Sequence, residues 1–216
     1  MYRIGRKPNP WQIISWSYAQ DDRTFGNRFD DADGSFRVLY AASTRLCCFL
    51  ETLARFRRPP AAVLQQLSLI EHAEDDHTPP GVVPASWLAK RRMGQAIVDP
   101  HLRFADIYAS TWLFAVEHKL SEFGLLPVGQ DFDLALLLAQ HRLLTQRAAT
   151  FIYGQGFDGI YYLSRYGTDL ENWALFERRE GEFGILRQEE PEPITENDPD
   201  LQKSLQCFGL KIDPAC

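Results

Sequence analysis

Three residues with useful side-chain chemistry lie near one another in the first part of the chain: Arg28, Tyr40 and Glu51. A planar guanidinium can donate paired, charge-assisted hydrogen bonds to phosphate oxygens. A carboxylate can stabilise positive charge that develops during a reaction, and a tyrosine can hydrogen-bond through its hydroxyl or stack on a planar ring. The spacing shows that the three residues can converge, so residues 23–58 are a candidate active-site segment.

The elements that must position these residues are predicted from turn residues and apolar spacing. Residues 25–29 are predicted to be extended, residues 30–35 to form a turn, and residues 36–41 to be the returning strand. Ser43 or Thr44 then caps a helix, because apolar residues recur at helical spacing as far as Phe56. Glu51 lies at the margin of that apolar stripe, where a carboxylate can face a cleft.

The rest of the chain predicts further strands and helices, and therefore a mixed α/β (α+β) protein. Strands are predicted at residues 11–16, 81–84, 96–98, 103–107, 159–163 and 172–176, and helices at residues 61–72, 110–122, 131–153 and 201–210. A polar loop, residues 164–171, is predicted to join the last two strands. Residues 188–200 are acidic and contain prolines, so we predict an exposed connector there.

Length and composition favour one large domain over two small ones. The 216 residues are 45% hydrophobic, which is enough to bury a full core. We expect a domain over residues 1–187, the connector over residues 188–200, and a tail with a short helix over residues 201–216. The net charge of -6 and the pI near 5.4 argue against broad nucleic-acid binding, but leave room for a local basic patch.

No segment of the sequence has the pattern of a signal peptide or of a membrane span. The N-terminal segment lacks a long apolar core, and no later apolar run approaches the length that a bilayer requires. The cysteines are Cys47, Cys48, Cys207 and Cys216, and the adjacency of the first two argues against a conventional disulfide framework. We therefore expect a protein of the reducing cytoplasm with no membrane partner.

Several familiar motifs are rejected because of their context. Residues 154–159 have the glycine pattern of a dinucleotide-binding loop, but that motif follows a strand and opens a helix, whereas here it closes a predicted helix. Residues 30–34 resemble part of a calcium loop, but Phe29 and Tyr40 occupy its first and last ligand positions. The histidines lack zinc-ligand spacing, so no metal is expected. Cys47 and Cys48 are expected to pack inside the helix rather than act as nucleophiles.

Five short segments, taken in order, resemble the RES domain family, which is named for its arginine, glutamate and serine. They are residues 27–30 (NRFD), 38–41 (VLYA), 49–53 (FLETL), 159–165 (GIYYLSR) and 173–177 (WALFE). The family residues correspond to Arg28, Glu51 and Ser164, and the resemblance extends roughly from residue 11 to residue 176. Family members often have Gly before the arginine and Trp or Tyr after it, where this chain has Asn27 and Phe29.

The resemblance implies a single RES domain similar to the ADP-ribosyltransferase fold, with central twisted β-sheets flanked by helices. RES proteins are known as bacterial toxins that consume NAD, and many are restrained by a helix-turn-helix antitoxin. By this resemblance NAD is a substrate rather than a bound cofactor, and phosphate stays open as a co-substrate. The existence of an antitoxin partner and the formation of a homo-oligomer stay open as well.

The resemblance also implies a role for each matching residue. Arg28, Tyr40, Glu51 and Ser164 would be catalytic, while Arg28, Phe29, Tyr40 and Ser164 would bind the dinucleotide. Arg28 is assigned to the pyrophosphate and Glu51 to the reacting ribose. Tyr40 would hydrogen-bond or stack on nicotinamide, and Ser164 would orient ribose or phosphate.

Three functions are compatible with this pattern. The first is cleavage of the nicotinamide–ribose bond of NAD by hydrolysis or phosphorolysis, the second is ADP-ribosyl transfer to a macromolecule, and the third is a catalytically silent binding protein. Each residue also has an ordinary structural interpretation: Arg28 can pair with Asp30 or Asp31 in a turn, and Glu51 can pair with Arg55 on the helix. The joint occurrence of these residues in the right order favours an active site.

Overall fold

The computed structural model describes residues 1–21, 25–58, 79–122, 124–126, 133 and 142–213. The strands are β1 (Tyr2–Arg6), β2 (Val38–Ala42), β3 (Val82–Pro84), β4 (Arg91–Val98), β5 (Phe104–Asp106), β6 (Gly159–Ser164), β7 (Gly167–Phe176), β8 (Ile185–Gln188), β9 (Glu192–Pro193) and β10 (Lys211–Asp213). The α-helices are α1 (Arg45–Leu53), α2 (Ala85–Ala89), α3 (Ser110–Glu122), α4 (Arg142–Gly154) and α5 (Pro199–Phe208), and two 3-10 turns span Trp16–Tyr18 and Ala54–Phe56.

One central sheet organises the described part of the chain. Its strand order is β5-β6-β7-β2-β1-β4-β8, with β9 also paired to β4, and β10 pairs with β3 in a separate small sheet. The pairs β5–β6 and β3–β10 are parallel, and the other pairs are antiparallel. Helices pack against this sheet, so the predicted mixed α/β fold with a central sheet flanked by helices is confirmed.

The strand β2 lies at the middle of the sheet and carries two helices on one face. Alternate residues of a strand point to the same face, so Val38, Tyr40 and Ala42 share a face. Val38 belongs to the apolar cluster under α4, and Ala42 belongs to the cluster under α1. Tyr40 therefore lies between the parts of the strand that are covered by α4 and by α1. Leu39 and Ala41 face the opposite side, where they pack against Trp11.

The helix α1 forms where the apolar spacing predicts it. Its cap is Thr44, whose side-chain oxygen accepts a hydrogen bond from the Cys47 amide at 3.2 Å. Leu50 and Leu53 are buried in the cluster beneath the helix, and Leu201 of α5 packs into the same cluster. The predicted cap is thus Thr44 rather than Ser43, and the prediction of a docked C-terminal helix is confirmed.

The start of the sheet differs from the prediction. Residues 11–16 form no strand; β1 opens the sheet instead, and Trp11 is buried in the core beside the sheet. The approach is so close that a Cβ at Gly94 of β4 would lie 2.5 Å from the Trp11 ring nitrogen. Trp11 at the start of this β-rich pattern is therefore a buried anchor and not part of a strand, while Trp16 is only partly buried and lies in a 3-10 turn.

Two further segments depart from the prediction. Residues 25–29 form a loop rather than an extended piece, because their backbone amides turn inward to a buried carboxylate described below. Most of the predicted loop at residues 164–171 is strand, since β7 begins at Gly167 directly after a tight turn from β6. Thr168 and Asp169 of this stretch are exposed on β7 and do not break the strand.

Other predictions match at the level of elements. β3, β5, α3 and β6 lie where strands and a helix are predicted, and β4 is longer than predicted. The predicted helix 61–72 and residues 134–141 of the predicted long helix lie outside the described residues; α4 is the described end of the latter. The acidic connector is partly packed, since β9 pairs with β4 and Ile194 is buried. None of the helices in the described ranges combines the length and apolar character that crossing a bilayer requires.

Candidate active site

A cavity of about 280 Å³ opens above Tyr40, in the gap between α1 and α4. Its lining residues are Asn27, Arg28, Tyr40, Glu51, Arg142, Tyr162, Leu163 and Arg165. Arg28 and Glu51, which the sequence places on different local elements, therefore share one cavity with Tyr40 at its floor. The convergence that the sequence allows is present in the fold.

Arg28 is presented by a loop that wraps around the side chain of Asp30. The Asp30 carboxylate is buried and accepts hydrogen bonds from the backbone amides of Phe25 and Asn27, at 3.0 and 2.7 Å. Gln146 of α4 donates to the Asn27 carbonyl at 3.2 Å and ties the loop to the helix. Asp30 thus shapes the loop that aims Arg28 into the cavity, which is a different role from the turn ion pair considered above.

Tyr40 and Phe29 are joined beneath the cavity. The Phe29 amide donates to the Tyr40 hydroxyl oxygen at 2.9 Å, and that hydroxyl donates to Asp30 at 3.2 Å. Phe29 is 1% exposed, and its ring packs edge-on against Tyr162 with centroids 5.0 Å apart. The structure therefore places Phe29 in the support of the cavity rather than in its lining. Burial raises the pKa of Tyr40 well above its ordinary value, and the Asp30 charge adds to the effect.

Glu51 reaches from α1 to the two strands that face it. One of its carboxylate oxygens, Oε1, accepts hydrogen bonds from the Ser164 hydroxyl at 2.7 Å and from the Asn172 side-chain amide at 3.1 Å. Both donors are buried, while Glu51 itself is exposed to the cavity. Two bonds to one oxygen fix the carboxylate without neutralising its charge. Ser164 is absent from the lining of this cavity, so its contact is with the glutamate.

Asn172 is a site residue that the sequence prediction missed. It lies on β7 opposite Tyr162 of β6, and its side-chain oxygen accepts a hydrogen bond from the Cys47 thiol at 3.3 Å. Burial, and next the charge of Glu51, raise the pKa of Cys47 to about 12, so this thiol stays protonated and donates. The alternation of β6 together with its pairing to β7 was the available clue, because Ser164 and Tyr162 share a face.

Two further arginines, also missed by the sequence prediction, make the cavity strongly cationic. Arg142 is the first described residue of α4 and Arg165 lies in the turn after β6, and both line the cavity with Arg28. Burial lowers the pKa of Arg28, and the positive charges of Arg142 and Arg165 act in the same direction. An anion that entered here would meet three guanidinium groups, each able to donate paired hydrogen bonds.

A second cavity, of about 270 Å³, adjoins the first on the side of β1. The two cavities share Asn27, Tyr40, Glu51 and Tyr162 in their linings. Arg3 of β1 lines only the second, and its side chain donates to the carbonyl of Tyr40 at 2.6 Å. Glu51 therefore stands at the boundary between two small chambers, with arginines on both sides.

The donor types in the site suit an anionic organic molecule better than a metal ion. Within the described residues, no group of three or more histidine, cysteine or acidic side chains is placed to hold a metal. The cavity instead combines guanidinium groups, two tyrosines and one oriented carboxylate. Such a set can bind phosphate, hold a planar ring and stabilise positive charge near Glu51.

A family model described as the RES domain matches residues 1–197, which include every segment that carries the sequence resemblance. Among solved structures, the chain is similar to one in the M. tuberculosis MbcT–MbcA toxin–antitoxin complex, with 15% sequence identity and a TM-score of 0.48, over 89% of this chain and 83% of that chain. No curated protein matches the sequence significantly.

Proposed function

Because the chain belongs to the RES domain family, we propose that it is an enzyme that binds NAD and cleaves its nicotinamide–ribose bond. The observation that carries this proposal is the shared cavity in which three arginines face one oriented carboxylate over a tyrosine floor. NAD has the complementary chemistry, since it carries an anionic pyrophosphate and a cationic nicotinamide on a ribose.

The arginines are assigned to the pyrophosphate. Of the three, Arg28 lies closest in sequence to Tyr40 and Glu51, and its loop is fixed by Asp30 and by Gln146. A rigid arginine gives both binding and orientation, because a guanidinium fork and a phosphate match in geometry. Arg142 and Arg165 add charge from two other elements, so the phosphates would be held from several directions.

Glu51 is assigned to the ribose that reacts. When the bond between C1′ of this ribose and the nicotinamide nitrogen breaks, the electron pair stays on the nitrogen, and neutral nicotinamide leaves without needing a proton. Positive charge then develops on the ribose ring, as in glycoside cleavage. A carboxylate held by Ser164 and Asn172 stabilises that charge without having to reorient. Water or phosphate would then bond to C1′.

Tyr40 and Tyr162 are assigned to the nicotinamide and the adjoining ribose. Both line the two chambers on either side of Glu51. Burial raises the pKa of each phenol well above its ordinary value, so both stay neutral and can pack against a planar ring. In this arrangement Ser164 acts through Glu51 rather than on the ribose or phosphate directly.

The test follows NAD and both of its products. Purified protein is incubated with NAD, and NAD loss, free nicotinamide and any labelling of added protein or nucleic acid are measured, in buffers with and without phosphate. We expect NAD loss and nicotinamide release in equal amounts without labelling. Labelled macromolecules would instead identify an ADP-ribosyltransferase, and tight NAD binding without turnover would identify a silent binding protein.

An arginine variant tests the binding assignment. Arg28→Ala should raise the KM for NAD about 30-fold and lower kcat less, because a charge-assisted contact contributes about 1.5–3 kcal/mol. Arg187→Ala is a matched control, since Arg187 is an exposed arginine of β8 that pairs with Glu189 away from the site. Equal effects in the two variants would place the pyrophosphate elsewhere.

We further infer that the protein acts as the toxin of a toxin–antitoxin pair, as the family resemblance implies. Controlled expression in bacteria should lower the NAD pool before growth stops, and co-expression of the protein encoded by a neighbouring gene should prevent both. Growth arrest that precedes any fall in NAD would contradict this role while leaving the enzymatic proposal intact.

A further inference from the structure

A second strongly cationic surface lies outside the candidate active site. It is a groove of about 710 Å³ lined by Arg6, Lys7, Arg55, Phe56, Pro84, Ser86, Trp87, Ala89, Lys90 and Arg91, which we call the basic groove. It forms where the end of β1, the start of β4, the helix α2 and the 3-10 turn after α1 meet. It shares no lining residue with either chamber around Glu51.

The basic groove concentrates positive charge in a protein that is acidic as a whole. Its lining contains three arginines and two lysines and no acidic residue, while the chain carries a net charge of -6. None of the ion pairs in the described part of the chain includes Arg6, Lys7, Lys90 or Arg91. Four of these cations therefore face the groove without a carboxylate partner among the described residues.

The backbone holds these cations close together. Arg6 and Arg91 are direct partners in the antiparallel pairing of β1 with β4, and the Lys7 amide donates to the Lys90 carbonyl at 3.1 Å. Like charges placed directly opposite each other on neighbouring strands destabilise a sheet. Burial, and then the charges of Arg55 and Arg6, lower the pKa of Arg91 to about 10. A bound anion would relieve this repulsion.

We propose that the basic groove is a binding site for a compact polyanion that carries two or more phosphate groups. Arginine forks favour phosphate oxygens, and the groove has the volume of a typical small-molecule site. Arg91 is oriented for this by packing over the Trp87 ring, with its guanidinium carbon 4.8 Å from the ring centroid.

Two observations favour a compact ligand over nucleic acid. Single-stranded nucleic acid is usually held by bases stacked on exposed aromatic rings, but Phe56 and Trp87 are 9% and 5% exposed. A long polyanion would also extend beyond the groove over a protein surface of net negative charge, which repels it. A short run of phosphates fits within the cationic area and avoids that repulsion.

The test is calorimetric titration of the full chain with inorganic tripolyphosphate and, separately, with a nucleoside triphosphate. We expect binding that weakens as salt rises, and a loss of at least ~10-fold in affinity in the double variant Arg6→Glu, Lys90→Glu. This variant should fold, because Arg6 and Lys90 are exposed and the new acid at position 6 lies opposite Arg91. Equal affinity for the two ligands identifies phosphate alone as the recognised group, and tighter nucleotide binding identifies a nucleotide.

Two further variants separate this site from other cationic surfaces. Lys203→Glu with Lys211→Glu makes the same change of charge on α5 and β10, away from the groove, and should leave affinity within twofold. Both titrations are repeated in Arg28→Ala, which weakens the pyrophosphate contact proposed for the candidate active site, so that the tripolyphosphate binding that remains reports the basic groove. Loss of all binding in Arg28→Ala with retention in the groove variant would overturn the proposal. So would equal losses in both double variants, absence of binding at millimolar ligand, or tighter binding of an RNA oligomer than of tripolyphosphate.

Discussion

The fold contains two arginine–glutamate combinations, Arg37 with Glu177 and Arg28 with Glu51, which differ in the groups that hold the carboxylate. Arg37 and Glu177 are both buried and close on each other: Arg37 Nε donates to Glu177 Oε2 at 2.7 Å, a second nitrogen donates to Oε1, and the Gly181 amide donates to Oε1 at 2.7 Å. Arg28 and Glu51 instead line one cavity, and Glu51 is held by the neutral donors Ser164 and Asn172.

The difference lies in what satisfies the carboxylate. Glu177 accepts hydrogen bonds from a cation and from backbone amides, so its negative charge is compensated inside the fold. Glu51 accepts hydrogen bonds from uncharged side chains, so its negative charge can still interact with a molecule that enters the cavity. The same two residue types thus form a buried ion pair in one place and line a candidate active site in the other, where neutral donors hold the glutamate.

The largest expected effect comes from removing the charge of Glu51 while keeping its shape. Glu51→Gln should lower kcat/KM for NAD by about 10³-fold, because the developing positive charge on ribose loses its stabilising carboxylate. The thermal unfolding midpoint should change little, since an amide oxygen can still accept from Ser164 and Asn172. The measurements are nicotinamide release and a circular dichroism melt; turnover within twofold of the parent protein would place the reaction elsewhere.

The same change at the structural pair should have the opposite profile. Glu177→Gln leaves the buried Arg37 charge without its counter-charge, so the free energy of unfolding should fall by about 3 kcal/mol. Turnover per folded molecule should stay near that of the parent protein. Urea unfolding together with the nicotinamide assay checks this. A large loss of turnover in fully folded Glu177→Gln would contradict a purely structural role for Glu177.

A smaller effect is expected at Asn172. Asn172→Ala removes one of the two hydrogen bonds that orient Glu51, so kcat should fall about tenfold with little change in KM. Cys47→Ala tests the next contact outward, since the Cys47 thiol donates to Asn172, and should lower kcat by less. A rise in KM without a fall in kcat would show that Asn172 binds substrate rather than positioning the glutamate.

The smallest effect is on the pH dependence of stability. Burial acts to raise the pKa of Glu177, but the hydrogen bonds from Arg37 and the Gly181 amide outweigh it, and the pKa is lowered from its ordinary 4.5. The folded state therefore gains stability above pH 4.5 that is lost as the pH falls through the lowered value. Unfolding titrations should show a shallower acid limb in Glu177→Gln; identical limbs would show that another group controls it.

The local half of the site could be predicted from the sequence. Arg28, Tyr40 and Glu51 lie on a loop, a strand and a helix whose order follows from turn residues, apolar spacing and a cap. These are short-range patterns, so a single sequence carries them. The inward turn of the Arg28 loop was missed, because it depends on one buried carboxylate and not on any backbone preference of its residues.

The distant half could not be predicted in the same way. Asn172, Tyr162 and Arg142 are brought to Glu51 by strand register and helix packing across 121, 111 and 91 residues of chain, and each is an ordinary residue in its local context. A pairing of β6 with β7 in the correct register would have identified Asn172. The arginines have no comparable clue, since isolated arginines are common on protein surfaces.

The helix α5 lies beyond the last residue of the family match, yet it is fastened to the helix that carries Glu51. Arg45, the first residue of α1, is paired with Asp198 at 2.5 Å and with Glu192 at 2.7 Å, and Leu201 is fully enclosed by the cluster under α1. A truncated protein that stops at the family boundary would lose Asp198 and Leu201 together. Removal of the tail would therefore loosen the helix that carries Glu51, and a weak result from such a fragment would say nothing about the intact chain.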